Sequence, residues 1–92
     1  MIEYAEELFK KQNQVTYQVM MLLEDELSIA DEDMLSLAEL KMHDKCSLLN
    51  EMANYEMEGR KVSLYFKSQV KSSFKPCEQS LKEVELILQQ LE

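Results

Sequence analysis

The stretch LLEDELSIADEDMLSLAELKMHDKCSLLNEM (residues 22–52) decides the fold, because it contains two helical patterns joined by a short acidic turn. Apolar residues recur every three or four positions on both sides of the turn, which is the spacing of one face of an α-helix. Asp31 is the predicted N-cap of the second helix, and Glu32 and Asp33 suit the positive end of that helix's dipole. A connection of roughly two to four residues requires the two helices to pack antiparallel.

The composition extends this helical pattern to the rest of the chain. One glycine and one proline among 92 residues leave almost no turn residues for a β-sheet. Hydrophobic residues make up 46% of the chain, which is too many for a disordered segment. We therefore predict an all-α fold, an antiparallel helical hairpin or bundle of roughly three to four helices. Residues 1–92 are expected to form one domain, with helices near 2–29, 32–57, 58–73 and 77–91.

Gly59 and Pro76 mark the two uncertain helix boundaries. Gly59 is a candidate C-terminal cap. Helical spacing nevertheless continues through it from Met52 to Val70, which favours one bent helix in place of the two middle ones. Pro76 predicts a break after residues 72–75, so that the last helix is hinged there.

The first two helices differ in how regular their apolar stripes are. In the first helix the stripe is interrupted by KKQNQ (10–14), a candidate polar layer that either sets the packing register or loosens it. In the second helix Leu35, Ala38 and Met42 lie on one stripe, and Leu37 is interpreted as widening it.

Charge and hydropathy exclude several functional classes. The net charge is −8, whereas nucleic-acid binding needs a positive surface. The first residues lack the basic and apolar regions of a signal peptide, and no run approaches the ~18 apolar residues that span a bilayer. We therefore expect a cytoplasmic protein with no nucleic-acid partner and no membrane insertion.

No residue pattern predicts catalysis, a metal site or a cofactor. His43 lies about one turn from Glu39 and from Cys46, but a metal site needs three or four ligands with a recognisable spacing. The sequence contains no phosphate-binding glycine loop and no nucleophile elbow, so we expect no enzyme. Cys46 and Cys77 are interpreted as core thiols of a reducing compartment. The alternative is a redox-sensitive pair, if the last helix packs on the second.

A basic stripe interrupts the acidic chain. Lys67, Lys71 and Lys75 are spaced by four within residues 59–76, which contain five basic residues and no acid. We interpret the stripe as a solvated face, or as one that meets the protein's own acidic helices; a partner patch is the alternative.

The last predicted helix has the most regular apolar stripe of the chain. Cys77, Leu81, Val84, Leu88 and Leu91 are spaced by four, three, four and three positions, opposite a polar face. Two interpretations stay open: this stripe packs as permanent core, or the helix docks weakly and competes with a partner helix for one groove. The seven methionines are mainly core residues, with four candidates for lining such a groove: Met20, Met21, Met52 and Met57.

Residues 22–52 resemble the bacterial flagellar export chaperones of the FliT and FlgN type. The resemblance covers about a third of the chain and is carried by an acidic end of the first helix, an Asp-containing turn and a leucine-patterned second helix. The matching residues are Leu22, Leu23, Glu26, Asp31, Asp33, Leu37, Leu40, Lys45, Leu48 and Leu49. The resemblance implies a chaperone that binds an axial protein, such as a filament cap or hook-junction protein, and delivers it to the type III export apparatus. It also implies a last helix that masks the client groove.

We therefore predict a cytoplasmic export chaperone that receives an amphipathic helix of its client in an apolar groove. The predicted groove residues are Leu48, Met52, Tyr55, Val62, Phe66, Val70, Leu81, Val84, Ile87, Leu88 and Leu91. The alternative function is a structural or regulatory helical subunit, such as a coiled-coil partner or an anti-activator. Whether the chain forms a homodimer is left open.

Overall fold

The structure is a computed structural model that describes residues 3–92. These residues form four helices and no strand: α1 (Glu3–Leu23), α2 (Ile29–Lys45), α3 (Ser47–Met57) and α4 (Leu64–Leu91). The predicted all-α fold is confirmed. Residues 24–28 connect α1 to α2, and residues 58–63 connect α3 to α4.

α2 and α3 form one bent rod. Cys46 alone separates them, and its N–H donates to the Met42 carbonyl while its own carbonyl accepts from Asn50. The helical hydrogen-bond pattern therefore continues through the joint. The φ and ψ of Cys46, −96° and 7°, lie off the helical values and produce the bend.

The four helices make a three-rod bundle. Lys11 of α1 pairs with Glu85 of α4, and Tyr4 lies by Glu78, so α1 and α4 run in the same direction. Lys41 of α2 pairs with Glu83 and Tyr55 of α3 packs on Phe66, so the α2–α3 rod runs antiparallel to α4. The bundle measures 45 × 22 × 18 Å, and a 28-residue helix such as α4 is about 42 Å long. α4 thus runs the whole length of the molecule.

One apolar core fills the space between the rods. Every helix contributes its buried stripe to this core, which explains why four amphipathic segments of one chain collapse together. The buried members are Ala5, Leu8, Val15, Val19, Leu35, Met42, Cys46, Leu49, Met52, Val70, Cys77, Leu81, Val84 and Leu88.

The turn between α1 and α2 differs from the predicted one. α1 ends at Leu23, not near residue 29, and the N-cap of α2 is Ser28, not Asp31. The Ser28 hydroxyl accepts a hydrogen bond from the Asp31 N–H at 3.1 Å, so the helix begins three residues earlier than predicted. The predicted N-cap therefore lies inside the first turn of the helix.

Gly59 ends a helix, so the expectation of a helix continuing through it is wrong. Its φ is +71°, in the left-handed region that favours glycine. The Arg60 N–H donates to the Tyr55 carbonyl at 2.8 Å, and the Gly59 N–H donates to the Glu56 carbonyl at 3.1 Å. This pair of bonds is the Schellman C-terminal cap of α3.

Pro76 lies inside α4, so the predicted break at residues 72–76 is also wrong. The predicted helices 58–73 and 77–91 are one helix, which begins after the N-cap Ser63. Proline provides no N–H for the preceding turn, which normally costs about 3 kcal/mol in a helix interior. Val70 and Cys77 are both buried on either side of it, so packing holds the helix together across the missing bond.

Candidate partner-binding surface

The residues predicted to line a client groove lie in or against the protein's own core. Five of them are buried: Met52, Val70, Leu81, Val84 and Leu88. Five more are half-buried and pack against that core: Leu48, Val62, Phe66, Ile87 and Leu91. Tyr55, the remaining one, packs its ring on Phe66, with a centroid distance of 5.7 Å. The structure brings this set together, but as bundle interior and not as an open groove.

α4 is fastened to the α2–α3 rod by a covalent bond. Cys46 and Cys77 form a disulfide with Cα atoms 4.6 Å apart, and neither residue has exposed surface. The expectation of free thiols is therefore wrong. The bend at Cys46 and the buried stripe of α4 place the two side chains opposite each other in the core. A last helix that lifts off at Pro76 would have to break this bond.

The interrupted stripe of α1 corresponds to a buried polar contact. Gln12 is 2% exposed, and its Nε2 lies 3.2 Å from Nδ1 of the half-buried His43 on α2. His43 also approaches Glu39, at 4.0 Å. The other amide atom of Gln12, Oε1, has no hydrogen-bond partner. Residues 3–92 contain no group of three or more metal-ligating side chains, so His43 belongs to the α1–α2 packing contact.

Two pKa shifts mark an exposed contact between α1 and α4. The hydrogen bond from the Tyr4 hydroxyl, followed by one from Lys82, lowers the pKa of Glu78. The same Tyr4–Glu78 bond raises the pKa of Tyr4. Neither shift arises mainly from burial in a cleft, which is the usual environment of a catalytic acid or base.

The basic stripe lies along the outer face of α4. Lys67, Lys71 and Lys75 are all exposed, and no ion pair joins them to an acid of the described residues. They lie in the half of α4 nearer to the α3–α4 connection, away from the acidic turn between α1 and α2.

A surface that the sequence reading missed lies at the other end of the bundle. We call residues 14–40 and 83–92 the acidic end; they comprise the C-terminal part of α1, the α1–α2 connection, α2 up to Leu40 and the C-terminal part of α4. The exposed Lys41 borders this end and pairs with Glu83. Twelve large hydrophobic residues are exposed in the described chain, and eight of them lie here. The eight are Tyr17, Met20, Met21, Ile29, Met34, Leu37, Leu40 and Leu86.

α2 provides the clearest part of this surface because it is apolar on two sides. Leu35 and Met42 are fully buried, whereas Leu37 and Leu40 are 67% and 65% exposed. At about 100° per residue, Leu37 and Leu40 point away from the buried stripe. The prediction that Leu37 widens that stripe is therefore wrong. The sequence signal was present, since both leucines fall outside the three-and-four spacing of the buried residues.

The acidic end is also the most negatively charged part of the chain. Residues 14–40 contain seven acidic residues and residues 83–92 contain three, with no Lys, Arg or His in either range. Among residues 3–92, ion pairs at 4.0 Å or less involve three of the ten: Glu39, Glu83 and Glu85. For the other seven, the described part of the chain provides no basic partner.

A shallow depression of about 300 Å³ lies within the acidic end, where α1 meets the last residue of the chain. Its floor and rim combine apolar and acidic side chains, namely Tyr17, Gln18, Met21, Leu22, Asp25 and Glu92. The depression is open and too small for a whole helix, so it fits a single side chain of a docked segment.

No family model, curated protein or solved structure matches this chain. No helix in residues 3–92 is long and apolar enough to cross a bilayer. The eight exposed apolar residues are spread over three helices at one end of a folded bundle. Exposed apolar residues concentrated at one end of a bundle make that end a candidate for a protein–protein contact.

Proposed function

We propose that this protein is an export chaperone that holds an amphipathic helix of a client protein against its acidic end. The type III flagellar setting, the axial-protein client and the cytoplasmic location come from the resemblance of residues 22–52 to export chaperones. A bound client would be kept from assembling before its export.

The observation that carries the proposal is the concentration of eight exposed large apolar side chains at one end of the bundle. Single exposed hydrophobic residues are common on folded proteins and need no partner. A cluster of them over three helices remains in contact with water unless another molecule covers it.

The energetics require the client to touch more than one helix. Full burial of one leucine or methionine side chain contributes about 1.5–3 kcal/mol. Leu37 and Leu40 are 67% and 65% exposed, so their burial together would contribute about 2–4 kcal/mol, whereas association costs about 4–15 kcal/mol. A stable complex needs further contacts from α1, where Tyr17, Met20 and Met21 are exposed.

The proposal moves the binding site from the interior of the bundle to its outside. The predicted groove residues hold the bundle together, and the Cys46–Cys77 bond fastens α4 over them. Client binding on the outer face of α2 needs no opening of α4, so masking by the last helix is not part of this proposal.

The disulfide is compatible with a cytoplasmic location only if one of two conditions is met. Disulfides are rare in the cytosol, because thioredoxin and glutathione keep thiols reduced. A cytoplasmic chaperone therefore has to remain folded with Cys46 and Cys77 reduced, or its disulfide has to resist these reductants through its burial. Thermal unfolding with and without a reductant checks the first condition.

The proposed function is tested by titrating the purified protein with terminal segments of filament-cap and hook-junction proteins in a calorimeter. The double variant Leu37→Ser and Leu40→Ser, which adds no charge, should weaken binding at least about tenfold, which corresponds to about 1.4 kcal/mol. Leu64→Ser is the control, because Leu64 is 83% exposed at the opposite end. The proposal fails if no segment binds, or if the control weakens binding as much as the double variant does.

A further inference from the structure

We infer that the segment that docks on the acidic end is a basic amphipathic helix, with lysine or arginine residues beside its apolar anchors. This inference rests on the proposed docking function and adds the chemistry of the partner. The structural basis is the coincidence of two features at one place: most of the exposed large apolar residues, and ten acidic residues of which seven have no ion-pair partner in the described chain.

The two features interleave on the outer face of α2. Ile29, Asp33 and Leu37 are spaced by four residues, so they form one row along the helix, with the exposed Asp33 between the two apolar side chains. Leu40 continues this face, the exposed Lys41 follows Leu37 one turn later and pairs with Glu83 of α4, and the exposed Asp44 follows Leu40. A helix that covers the apolar row is therefore brought within a few ångströms of carboxylates.

The carboxylates available to a partner are not used by the protein itself. Ion pairs within the described chain leave seven acids of this end without a base: Glu24, Asp25, Glu26, Asp31, Glu32, Asp33 and Glu92. The protein's own basic stripe, Lys67 to Lys75, lies in the other half of α4 and does not neutralise them. An arriving partner therefore meets a surface with unbalanced negative charge.

This charge discriminates between partners of different sign. A basic helix forms new ion pairs at the edge of the contact and is drawn to the surface before it docks. A neutral apolar helix has to desolvate nearby carboxylates without replacing their hydrogen bonds, and an acidic helix is repelled. Lysine or arginine next to the apolar anchors therefore increases both the rate and the strength of docking.

The same charge argues against three other occupants. Anionic membrane surfaces and nucleic acids carry the wrong sign. A twofold-symmetric dimer through this surface would place one acidic end against another, because such an interface contacts itself. The chemistry of the surface favours a separate basic protein segment.

The test uses three synthetic helical peptides that share one stripe of leucines and differ only in the flanking positions, which are all lysine, all glutamine or all glutamate. Binding to the full-length protein is measured by fluorescence anisotropy at about 50 mM and about 300 mM salt. We expect the lysine peptide to bind at least about tenfold more tightly than the glutamine peptide at low salt, and this advantage to shrink at high salt. The glutamate peptide should bind weakest of the three.

The chain provides a closely matched pair of variants. Glu32 and Asp33 are the fourth and fifth residues of α2, and Glu6 and Glu7 are the fourth and fifth residues of α1, at the opposite end of the bundle. All four are exposed. The variant Glu32→Gln with Asp33→Asn should reduce the lysine peptide's advantage several-fold, whereas Glu6→Gln with Glu7→Gln should leave it unchanged.

Different failures have different meanings. Equal binding of the lysine and glutamine peptides, with no effect of Glu32→Gln and Asp33→Asn, overturns the basic-partner inference but leaves docking in place. The basic-partner inference also fails if a lysine peptide whose leucines are replaced by glutamine binds as tightly as the lysine peptide that keeps its leucines. The surface would then attract any cation. A protein that dimerises through its acidic end in sedimentation equilibrium also contradicts it. If no peptide and no client segment binds at all, the proposed function itself fails.

Discussion

The two ends of the bundle are built differently. Where α3 leads into α4, the Gly59 cap closes the helix, the Tyr55 ring packs on Phe66, and the Arg60 guanidinium lies 4.7 Å from the centre of the Tyr55 ring. Where α1 leads into α2, the connection contains Glu24, Asp25 and Glu26 in a row and is flanked in sequence by the exposed Met21 and Ile29. We call the first the closed end, to contrast it with the acidic end.

This difference assigns stability and recognition to different ends of the bundle, stability to the closed end and recognition to the acidic end. The disulfide, both ring–ring contacts and the cation–ring contact of the described residues all lie between the middle of the bundle and the closed end. The acidic end keeps a buried core of its own, yet leaves most of its remaining apolar surface in water. Substitutions at the closed end should therefore change folding, whereas those on the surface of the acidic end should change binding.

Reduction of the disulfide tests whether the closed half of the bundle provides the stability of the protein. It has the largest expected effect of the predictions. The bond closes a loop of 31 residues, for which chain entropy corresponds to about 4 kcal/mol of stability. The free energy of unfolding in urea should fall by about that amount when a reductant is added. The double variant Cys46→Ala and Cys77→Ala is the control, since its stability should not respond to the reductant.

A loss below about 1 kcal/mol on reduction would mean that the core, and not the bond, holds α4 on the α2–α3 rod. Complete unfolding of the reduced protein at 37 °C would have the opposite meaning. It would remove the cytoplasmic location from the proposed function, because the cytosol would reduce the bond.

Two leucines of α2 test the separation of stability from recognition within a single helix. Leu35 is fully buried, and Leu35→Ala should lower the free energy of unfolding by about 3 kcal/mol through lost burial and a cavity. Leu37→Ala, two residues away but 67% exposed, should change it by less than about 0.5 kcal/mol. Urea unfolding of both variants checks the pair. Similar losses would show that the outer face of α2 is covered within the folded chain.

Gly59→Ala tests the cap of the closed end. The left-handed φ of +71° costs about 1–2 kcal/mol for a residue with a Cβ, although an added Cβ would meet no atom within 4 Å. The expected loss of stability, about 1 kcal/mol, therefore comes from the backbone and not from a clash. Gly59→Asn should lose less than Gly59→Ala in the same thermal-unfolding measurement, because asparagine tolerates this conformation better. Equal losses would contradict a backbone origin.

The fold class was predictable because periodicity and the shortage of turn residues both depend on the chain alone. The helix boundaries were not, and Gly59 and Pro76 show why. Helical spacing continues through Gly59, but spacing does not report the backbone hydrogen bonds that close α3 there. Pro76 lacks a hydrogen bond, but the core on both sides of it keeps α4 continuous. In both cases the prediction failed because the backbone hydrogen bonds and the packing that decide the boundary are not contained in the spacing.

The disulfide and the exposed apolar surface of the acidic end could not be predicted from the sequence, for a related reason. Pairing of Cys46 with Cys77 requires the alignment of α2 with α4, which no spacing along the chain provides. Leu37 and Leu40 were visible as leucines outside the buried stripe, but a wide stripe and a two-sided helix look alike until the neighbouring helices are placed. The charge asymmetry of the chain was apparent in the sequence, whereas its coincidence with exposed apolar residues at one end needed the topology.

Tyr4→Phe tests a surface contact between α1 and α4 on the closed side of the bundle, and it has the smallest expected effect. The Tyr4 hydrogen bond is the largest cause of the lowered pKa of Glu78, so its removal should raise that pKa towards the ordinary value of 4.5. A lowered folded-state pKa adds stability above the unfolded-state pKa and loses it as the pH falls through the folded-state pKa. The stability difference between wild type and Tyr4→Phe should therefore be present at pH 7 and shrink below about pH 4.5. Carboxyl NMR titration of Glu78 gives the direct measurement, with Lys82→Gln as a second variant whose effect should be smaller. A Glu78 pKa that Tyr4→Phe leaves unchanged would mean that α1 is not held to α4 at this point in solution.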